Sequence, residues 1–132
     1  MNKLVVQPLT AQNAIYTGSS VSVISVSSEW VLFLEVFNQT PNTVSRLTFE
    51  DSSDGFGSDI LPGPSVSLAG QLGDGSGLLS GFCPNVRKFS FTQADWEDLR
   101  IGISSCDLRL CVTDLSGNDG SPGIVYQSWI EF

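Results

Sequence analysis

The sequence predicts an all-β protein built as an antiparallel β-sandwich. Apolar residues recur at close to every second position over most of the chain, which is the period of a strand with one buried face. Ser, Thr, Val and Gly are abundant while Ala is scarce, so the composition favours strands and turns over helices. The chain has 132 residues, of which 41% are hydrophobic, enough for one two-layer core. We therefore expect a single domain over residues 1–132, of the jelly-roll-like or immunoglobulin-like type.

Candidate strands follow one another along the chain. The clearest alternation lies at 44–51, where Leu47 and Phe49 are interleaved with polar residues. The run 30–37 is apolar on both faces apart from Glu35, which predicts a central strand covered on its outer side by a loop or a neighbouring subunit. The candidate strands are 3–8, 11–17, 20–26, 30–37, 44–51, 64–69, 86–91, 99–104, 107–113 and 123–131.

Two segments depart from the strand pattern. The stretch 52–85 is rich in Gly and Pro, so we expect one long loop there around a short strand at 66–68. Further on, Thr92 is placed to cap a single helical turn, with Asp95 as the answering acid. We expect Trp96, at the end of this turn, to close one end of the sandwich.

The charge balance argues against two classes of partner. The chain carries 14 acidic and 6 basic residues, a formal net charge of −8, and the basic residues are scattered along the sequence. Nucleic acids and anionic membranes bind proteins through clustered Lys and Arg, so we expect neither as a partner. The apolar run at the N-terminus is too short for a secretory signal, and no run approaches the length of a membrane span.

Cysteines stand at positions 83, 106 and 111. The odd number leaves at least one thiol without an intrachain partner. Cys106 and Cys111 are five residues apart and therefore face opposite sides of one continuous strand. Buried, reduced thiols are the simplest interpretation, and they suit assembly in a reducing cytoplasm.

The chain contains no histidine, which favours a non-catalytic role. Histidine is the side chain best suited to proton transfer near neutral pH, and Ser-His-Asp, Cys-His and H-E-x-x-H sites all need it. Acidic clusters at 50–54 and 95–98 offer carboxylate pairs of the kind glycosidases use, but both lie at turns, where acids are usually solvated. We expect neither an enzyme nor a bound cofactor.

Calcium binding is one alternative to a purely structural role. Glu50, Ser52, Asp54 and Gly55 match the first positions of a helical calcium loop, but Leu61 stands where that loop needs an acid. Turns whose side chains bond their own backbone explain the same residues. The candidate calcium ligands are Glu50, Asp51, Asp54, Asp114 and Asp119.

Sugar binding is the other alternative, because aromatic rings exposed on one face stack on sugar rings. Each of these residues, however, lies in an apolar strand or beside the predicted end plug. We therefore favour core or subunit-interface positions over an exposed binding platform. The aromatic residues concerned are Tyr16, Trp30, Trp96, Tyr126 and Trp129.

The segment RLTFEDSSDGF at 46–56 resembles a recurrent pattern in small virion proteins of tailed bacteriophages. In those proteins a strand that ends in x-D-S-x-D-G leads into a loop of a β-sandwich. The resemblance implies a structural protein that decorates the capsid or forms part of the neck or tail. It also implies contacts with other virion proteins such as the major capsid protein, and a homo-oligomer, most simply a trimer. Such a protein belongs to the virion and assembles in the host cytoplasm.

The apolar C-terminus predicts a contact between subunits, because a frayed end would expose Trp129 and Phe132. We expect adhesion through backbone pairing at strand edges and through apolar side chains from both partners. The candidate contact residues are Trp129, Ile130 and Phe132 at the terminus and Leu78, Leu79 and Phe82 in the long loop.

Overall fold

The computed structural model shows an all-β chain over the residues it describes, which are 2–12, 16–23, 29–39, 44–69, 87–95, 100–101, 105–114 and 124–132. The strands in these ranges are β1 (Lys3–Gln12), β2 (Tyr16–Thr17), β3 (Val21–Val23), β4 (Val31–Gln39), β5 (Val44–Ser52), β6 (Leu61–Ala69), β7 (Arg87–Thr92), β8 (Cys106–Asp114) and β9 (Ile124–Glu131). No helix in this part of the chain is long and apolar enough to cross a membrane.

The strands form two sheets that pack against each other. The first sheet has the order β1-β9-β4-β7. The second has the order β2-β8-β5-β6, with β3 also paired to β8. Every strand pair within the described ranges is antiparallel. The predicted antiparallel β-sandwich is therefore confirmed.

Alternating side chains of the central strands fill the space between the sheets. In β4, Leu32, Leu34 and Val36 are fully buried, while the residues between them face outward. From the second sheet, Leu108 and Leu110 of β8 are also fully buried. Burying one such side chain stabilises a fold by roughly 1.5–3 kcal/mol. The period-two pattern in the sequence thus places the core.

Trp30 closes one end of this core. Its side chain is 1% exposed. The indole Nε1 donates to the carbonyl oxygen of Ile101 at 2.9 Å and to Oε1 of Gln93 at 2.8 Å. This end plug was expected of Trp96, which lies outside the described ranges.

Gly18 allows β1 of the first sheet to approach β8 of the second. Its backbone N–H donates to the carbonyl oxygen of Leu110 at 2.9 Å. A Cβ atom at this position would overlap Oε1 of Gln7 and lie 2.7 Å from the Leu110 oxygen. Real Cβ atoms essentially never come that close to backbone, so the position requires glycine.

Several boundaries differ from the sequence prediction. β1 runs on to Gln12, because register shifts between Val5 and Thr10 accommodate the interruption that was read as a strand break. β6 begins at Leu61 rather than 64 and so takes in two prolines from the predicted loop. Among the described strands β6 pairs with β5 alone, and an edge strand tolerates proline because its outward N–H groups need no partner.

The predicted strand at 99–104 is wrong where the structure describes it. Arg100 and Ile101 belong to neither sheet. Ile101 is buried and accepts a hydrogen bond from Trp30, while the backbone N–H of Arg100 donates to the carboxylate of Asp51 at 3.0 Å. Long-range contacts therefore fix this segment as a connection. The remaining residues of that prediction, and residues 70–85 of the predicted loop, lie outside the described ranges.

The turn after β7 agrees with the sequence. The backbone N–H and the hydroxyl of Thr92 donate to the carboxylate of Asp95 at 2.9 and 3.1 Å. The backbone N–H of Asp95 donates back to the Thr92 carbonyl at 3.0 Å. The predicted pairing of these two residues is confirmed.

Candidate functional site

The outer face of the first sheet is the candidate site, because it carries aromatic and aliphatic side chains where a solvated sheet face is usually polar. Residues directly opposite one another on paired strands share a face. The registers therefore define one continuous surface, which we call the aromatic face. It consists of Lys3 and Val5 on β1, Gln127, Trp129 and Glu131 on β9, Val31, Phe33 and Glu35 on β4, and Lys88, Ser90 and Thr92 on β7.

A stacked pair of rings occupies the centre of the aromatic face. Trp129 and Phe33 are direct partners across β9 and β4. Their ring centroids lie 5.3 Å apart and their planes differ by 25°. Val5, the partner of Trp129 on the other side, is 46% exposed. The centre of the sheet is thus apolar on its outer side as well as its inner side.

Two lysines cover this ring pair. The ammonium nitrogen of Lys3 lies 4.8 Å from the centroid of the Trp129 ring. That of Lys88 lies 4.8 Å from the Phe33 centroid and 5.5 Å from the Trp129 centroid. Such cation–π contacts contribute about 0.5–1 kcal/mol each at exposed sites. The lysine stems also shield the indole, which is 8% exposed.

Two glutamates complete the charge pattern of the face. Glu35 accepts a hydrogen bond from Nε2 of Gln127 at 2.8 Å. Glu131 accepts one from the indole Nε1 of Trp129 at 2.8 Å. With two lysines and two glutamates the aromatic face is electrically balanced, whereas the whole chain carries −8.

The outer face of the second sheet is polar and internally bonded. Nε of Arg109 donates to Oε1 of Glu50 at 2.9 Å, and the thiol of Cys111 donates to the same oxygen at 3.2 Å. The guanidinium of Arg109 also lies over the ring of Phe56, 4.0 Å from its centroid. These groups are partnered within the chain. The two outer surfaces of the sandwich therefore differ in chemistry.

The predicted contact residues of the C-terminus have different positions. Trp129 lies on the aromatic face. Ile130 points the other way, into the core, and is fully buried by the chain itself, so it has no surface to offer a partner. Phe132 is half-buried against the core, and its backbone exchanges hydrogen bonds with Asn2. The predicted loop contacts Leu78, Leu79 and Phe82 lie outside the described ranges.

Asp54, a candidate calcium ligand, is engaged by its own loop. Its carboxylate accepts the backbone N–H groups of Ser58, Gly57 and Asp59 at 3.0 to 3.2 Å. The hydroxyls of Ser52 and Ser58 donate to it at 2.8 and 2.9 Å. These bonds, that of the Ser58 N–H above all, hold the pKa of Asp54 well below its usual value. The presence of an acid at position 54 is thus explained by hydrogen bonds within its own turn, as the sequence suggested.

Asp51 and Arg100 tie the loop to the core. Asp51 is fully buried, and Nε of Arg100 lies 3.6 Å from its Oδ1. The guanidinium of Arg100 also bonds Asp59 on the loop. Burial raises the pKa of Asp51, and its bonds to Arg100 oppose that rise. The bond from Arg100 lowers the pKa of Asp59. The cluster fastens residues 53–60 and 100–101 to the end of β5.

The other calcium candidates give no converging set. Glu50 is paired with Arg109 on the second sheet. The side chain of Asp114 and all of Asp119 lie outside what the structure describes. Within the described ranges no group of three or more His, Cys, Asp or Glu residues is placed to hold a metal ion.

The two described cysteines are free thiols on opposite sides of β8, as predicted. Cys106 is buried in the core, whereas Cys111 is only half-buried on the outer face, so full burial was wrong for Cys111. Burial raises the pKa of each thiol to about 11. At neutral pH both are therefore protonated and poor nucleophiles. Cys83 lies outside the described ranges.

The aromatic residues considered for sugar binding do not form an open platform in the described structure. Trp30 and Tyr126 are fully buried, and Tyr16 packs against the core. Trp129 faces outward, but Lys3 and Lys88 cover its ring. Trp96 lies outside the described residues.

Sequence reasoning missed Lys3 and Lys88 as site residues. They are the two lysines of the chain, and their distance in sequence made them look scattered. The available signal was Glu35, two residues after Phe33, and Gln127 and Glu131 on either side of Trp129, since residues two apart on a strand share a face. What it does not contain is the strand order that brings β1 and β7 to the two sides of β9 and β4.

Comparisons with known proteins do not place the chain in a family. No protein-family model matches it, and no curated protein matches it. Among solved structures, a chain in "Structure of infectious bursal disease virus Gx strain" overlaps 98% of this chain and 32% of its own length, at 14% identity and a TM-score of 0.32. The present chain thus spans about a third of that viral chain. A TM-score this low does not establish a shared fold.

Proposed function

We propose that the protein is a non-catalytic structural component of a virus particle that works by binding other virion proteins. Capsid decoration, or a place in the neck or tail of a tailed bacteriophage, is the role that the segment 46–56 suggests. The partners would include the major capsid protein. The observation that carries the proposal is the aromatic face.

An apolar outer surface of this kind favours a protein–protein contact. Large exposed apolar patches on soluble proteins commonly mark interaction sites. Aromatic side chains are also enriched, and charges depleted, at the centres of interfaces. The aromatic face has Trp129 and Phe33 at its centre, and the ammonium groups of Lys3 and Lys88 reach over these rings from backbone positions towards its corners. A neighbouring subunit over β4 was also expected from the two-sided apolar pattern at 30–37.

Sugar- or calcium-dependent adhesion has less support. A sugar platform needs an open ring face, and the outward indole of Trp129 is covered. A calcium loop needs free carboxylate oxygens, and those of Asp54 are taken by backbone N–H groups.

The proposal is tested first on the particle. Virions purified by density gradient from the infected host are digested and quantified by mass spectrometry. We expect peptides of this chain at a fixed ratio to the major capsid protein. Presence in the infected-cell lysate together with absence from the particles would contradict the proposal.

A second arm tests the face itself. Val5→Asp adds a carboxylate to the aromatic face, and Ser67→Asp adds the same charge at an exposed position of β6 in the second sheet. We expect Val5→Asp to lower incorporation into particles roughly tenfold or more, because taking the added charge out of water at the contact costs free energy. Ser67→Asp should be incorporated like the wild type. Point variants are preferable to truncating the C-terminus, since β9 lies inside the first sheet and its loss would unfold the protein.

A further inference from the structure

We propose that the aromatic face binds a second copy of this chain, face to face about a two-fold axis. The inference rests on the proposed function and names the partner of the face. The described surface supplies three arguments: its charge relative to the rest of the chain, the symmetry of its charge pattern, and two lysines without a carboxylate partner.

The first argument is electrostatic. Two copies of a chain with net charge −8 repel each other in most orientations. The aromatic face, with two lysines and two glutamates, is balanced. Contact through this face therefore meets less repulsion than contact through a surface of average charge. It also buries the apolar centre of the sheet.

The second argument is the position of the four charges. Lys3 is the direct partner of Glu131 across β1 and β9, and Lys88 is the direct partner of Glu35 across β7 and β4. The two pairs lie at opposite corners, with the stacked rings between them. A two-fold axis in the plane of contact that passes between the members of each pair brings every lysine closer to the paired glutamate of the second copy than to the equivalent lysine. One rotation acts at both corners, as an isologous contact requires.

The third argument is that the ammonium groups of Lys3 and Lys88 are available to form ion pairs with carboxylates of a second copy. The ion pairs found in the described part of the chain involve Arg100 and Arg109 and neither lysine. Each ammonium lies over a ring and points away from the core. A carboxylate of the second copy would bind it from the opposite side, forming a stack of ring, ammonium and carboxylate.

The area of the aromatic face limits the affinity that we expect between two copies. Four strands at the usual spacing and about six residues in depth give a surface of roughly 400 Å² per copy. Two such faces lie at or below the low end of specific protein interfaces, so the pair should form in a concentration-dependent manner. In a particle, where copies are held at high local concentration, the same contact would be populated.

The test uses two variants of the full-length protein with opposite face charge. Lys3→Glu/Lys88→Glu makes the aromatic face acidic, and Glu35→Lys/Glu131→Lys makes it basic. Sedimentation velocity of the wild type over a concentration series should show a monomer–dimer equilibrium that weakens with added salt. Each variant alone should remain monomeric at every concentration that dimerises the wild type. An equimolar mixture of the two should dimerise, because only unlike faces then meet.

Matched controls separate face contact from folding and from total charge. Arg46→Glu/Arg87→Glu changes the net charge by the same amount as the acidic variant, but neither residue is on the aromatic face. This control should still dimerise. Circular dichroism melting checks that each variant is folded. If a double variant is unfolded, the single variant Lys88→Glu or Glu35→Lys takes its place.

Three results would overturn the inference. They are a wild type that is monomeric at every concentration, an equimolar mixture that stays monomeric, and a trimer of the kind that the phage resemblance implies. If the wild type is monomeric while Val5→Asp still blocks incorporation into particles, the face binds a different virion protein. In that case the self-contact fails and the proposed function stands.

Discussion

Trp129 and Phe33 stack on the outside of the sandwich, with ring centroids 5.3 Å apart, although they come from β9 and β4 in opposite halves of the chain. Aromatic side chains contribute most where other protein covers them, in cores and interfaces. Here the stems of Lys3 and Lys88 provide this cover, with their ammonium groups in solvent. The lysine stems thereby cover the apolar outer face of this sheet and turn charged groups towards solvent.

Replacing Trp30 by Phe should destabilise the protein by about 1–3 kcal/mol, because the buried carbonyl of Ile101 and the Gln93 amide lose their shared donor. Urea unfolding followed by circular dichroism measures the change. Phe33→Leu, a change on the outer face, serves as the control and should cost less. Equal losses in the two variants would show that the indole N–H does not hold this end of the core.

Gly18→Ala should destabilise the protein by roughly 1–3 kcal/mol, since the added methyl meets the fixed backbone oxygen of Leu110. Gln7 can move aside, but the carbonyl of a paired strand cannot. The control is Gly57→Ala, whose methyl would have ordinary contacts of 3.5 Å with Asp54. Thermal melting of both variants gives the comparison, and a Gly18→Ala protein as stable as the control would refute the close approach of Gly18 to the Leu110 carbonyl.

Acid should loosen the loop that follows β5. The pKa values of Asp54 and Asp59 lie below their ordinary value of 3.8 in the folded chain, so their bonds stabilise the fold above about pH 4 and are lost as the pH falls further. Asp51 acts in the opposite sense, because burial raises its pKa and its protonation removes a buried charge. We expect the melting temperature to fall as the pH drops below about 4.

The variant Asp59→Asn isolates one contribution to that fall. It should melt at a lower temperature than the wild type at neutral pH, where the bond to Arg100 is missing. Its melting temperature should depend less steeply on pH below 4, because one titrating group has been removed. Two parallel profiles would mean that Asp59 does not contribute to acid sensitivity.

The Cys111 thiol should react slowly at neutral pH, since burial and its bond to Glu50 raise its pKa to about 11. Labelling with iodoacetamide, read by mass spectrometry in a Cys83→Ser background, measures the rate. Glu50→Gln should accelerate labelling of Cys111, and Arg109→Gln should retard it, because the carboxylate raises this pKa and the guanidinium lowers it. Rates that change in the same direction in both variants would contradict this electrostatic account.

The sequence predicts the layers of this fold better than their connections. Alternation at 44–51 identifies which side chains of β5 enter the core, and Glu35 marks the outward side of the otherwise apolar run 30–37, because side-chain direction in a strand is a local property. The strand predicted at 99–104 is wrong at Arg100 and Ile101 for a non-local reason, since the buried carboxylate of Asp51 holds the backbone of Arg100 away from both sheets.

The candidate site was predicted only in part for the same reason. The apolar C-terminus pointed to Trp129, but local pattern does not separate it from Ile130, which faces the core. The contribution of Lys3 and Lys88 depends on strand order, and no local pattern contains strand order.

Amine footprinting tests the central claim most directly, because Lys3 and Lys88 are the lysines of the chain and both lie on the aromatic face. The isolated monomer and the purified particle are treated with an N-hydroxysuccinimide ester, and the extent of labelling at each lysine is read by mass spectrometry. Treatment of unfolded protein gives the reference rate. If this face is the contact surface, both lysines label readily in the monomer and are protected together in the particle. Equal labelling of both lysines in monomer and particle would contradict the account.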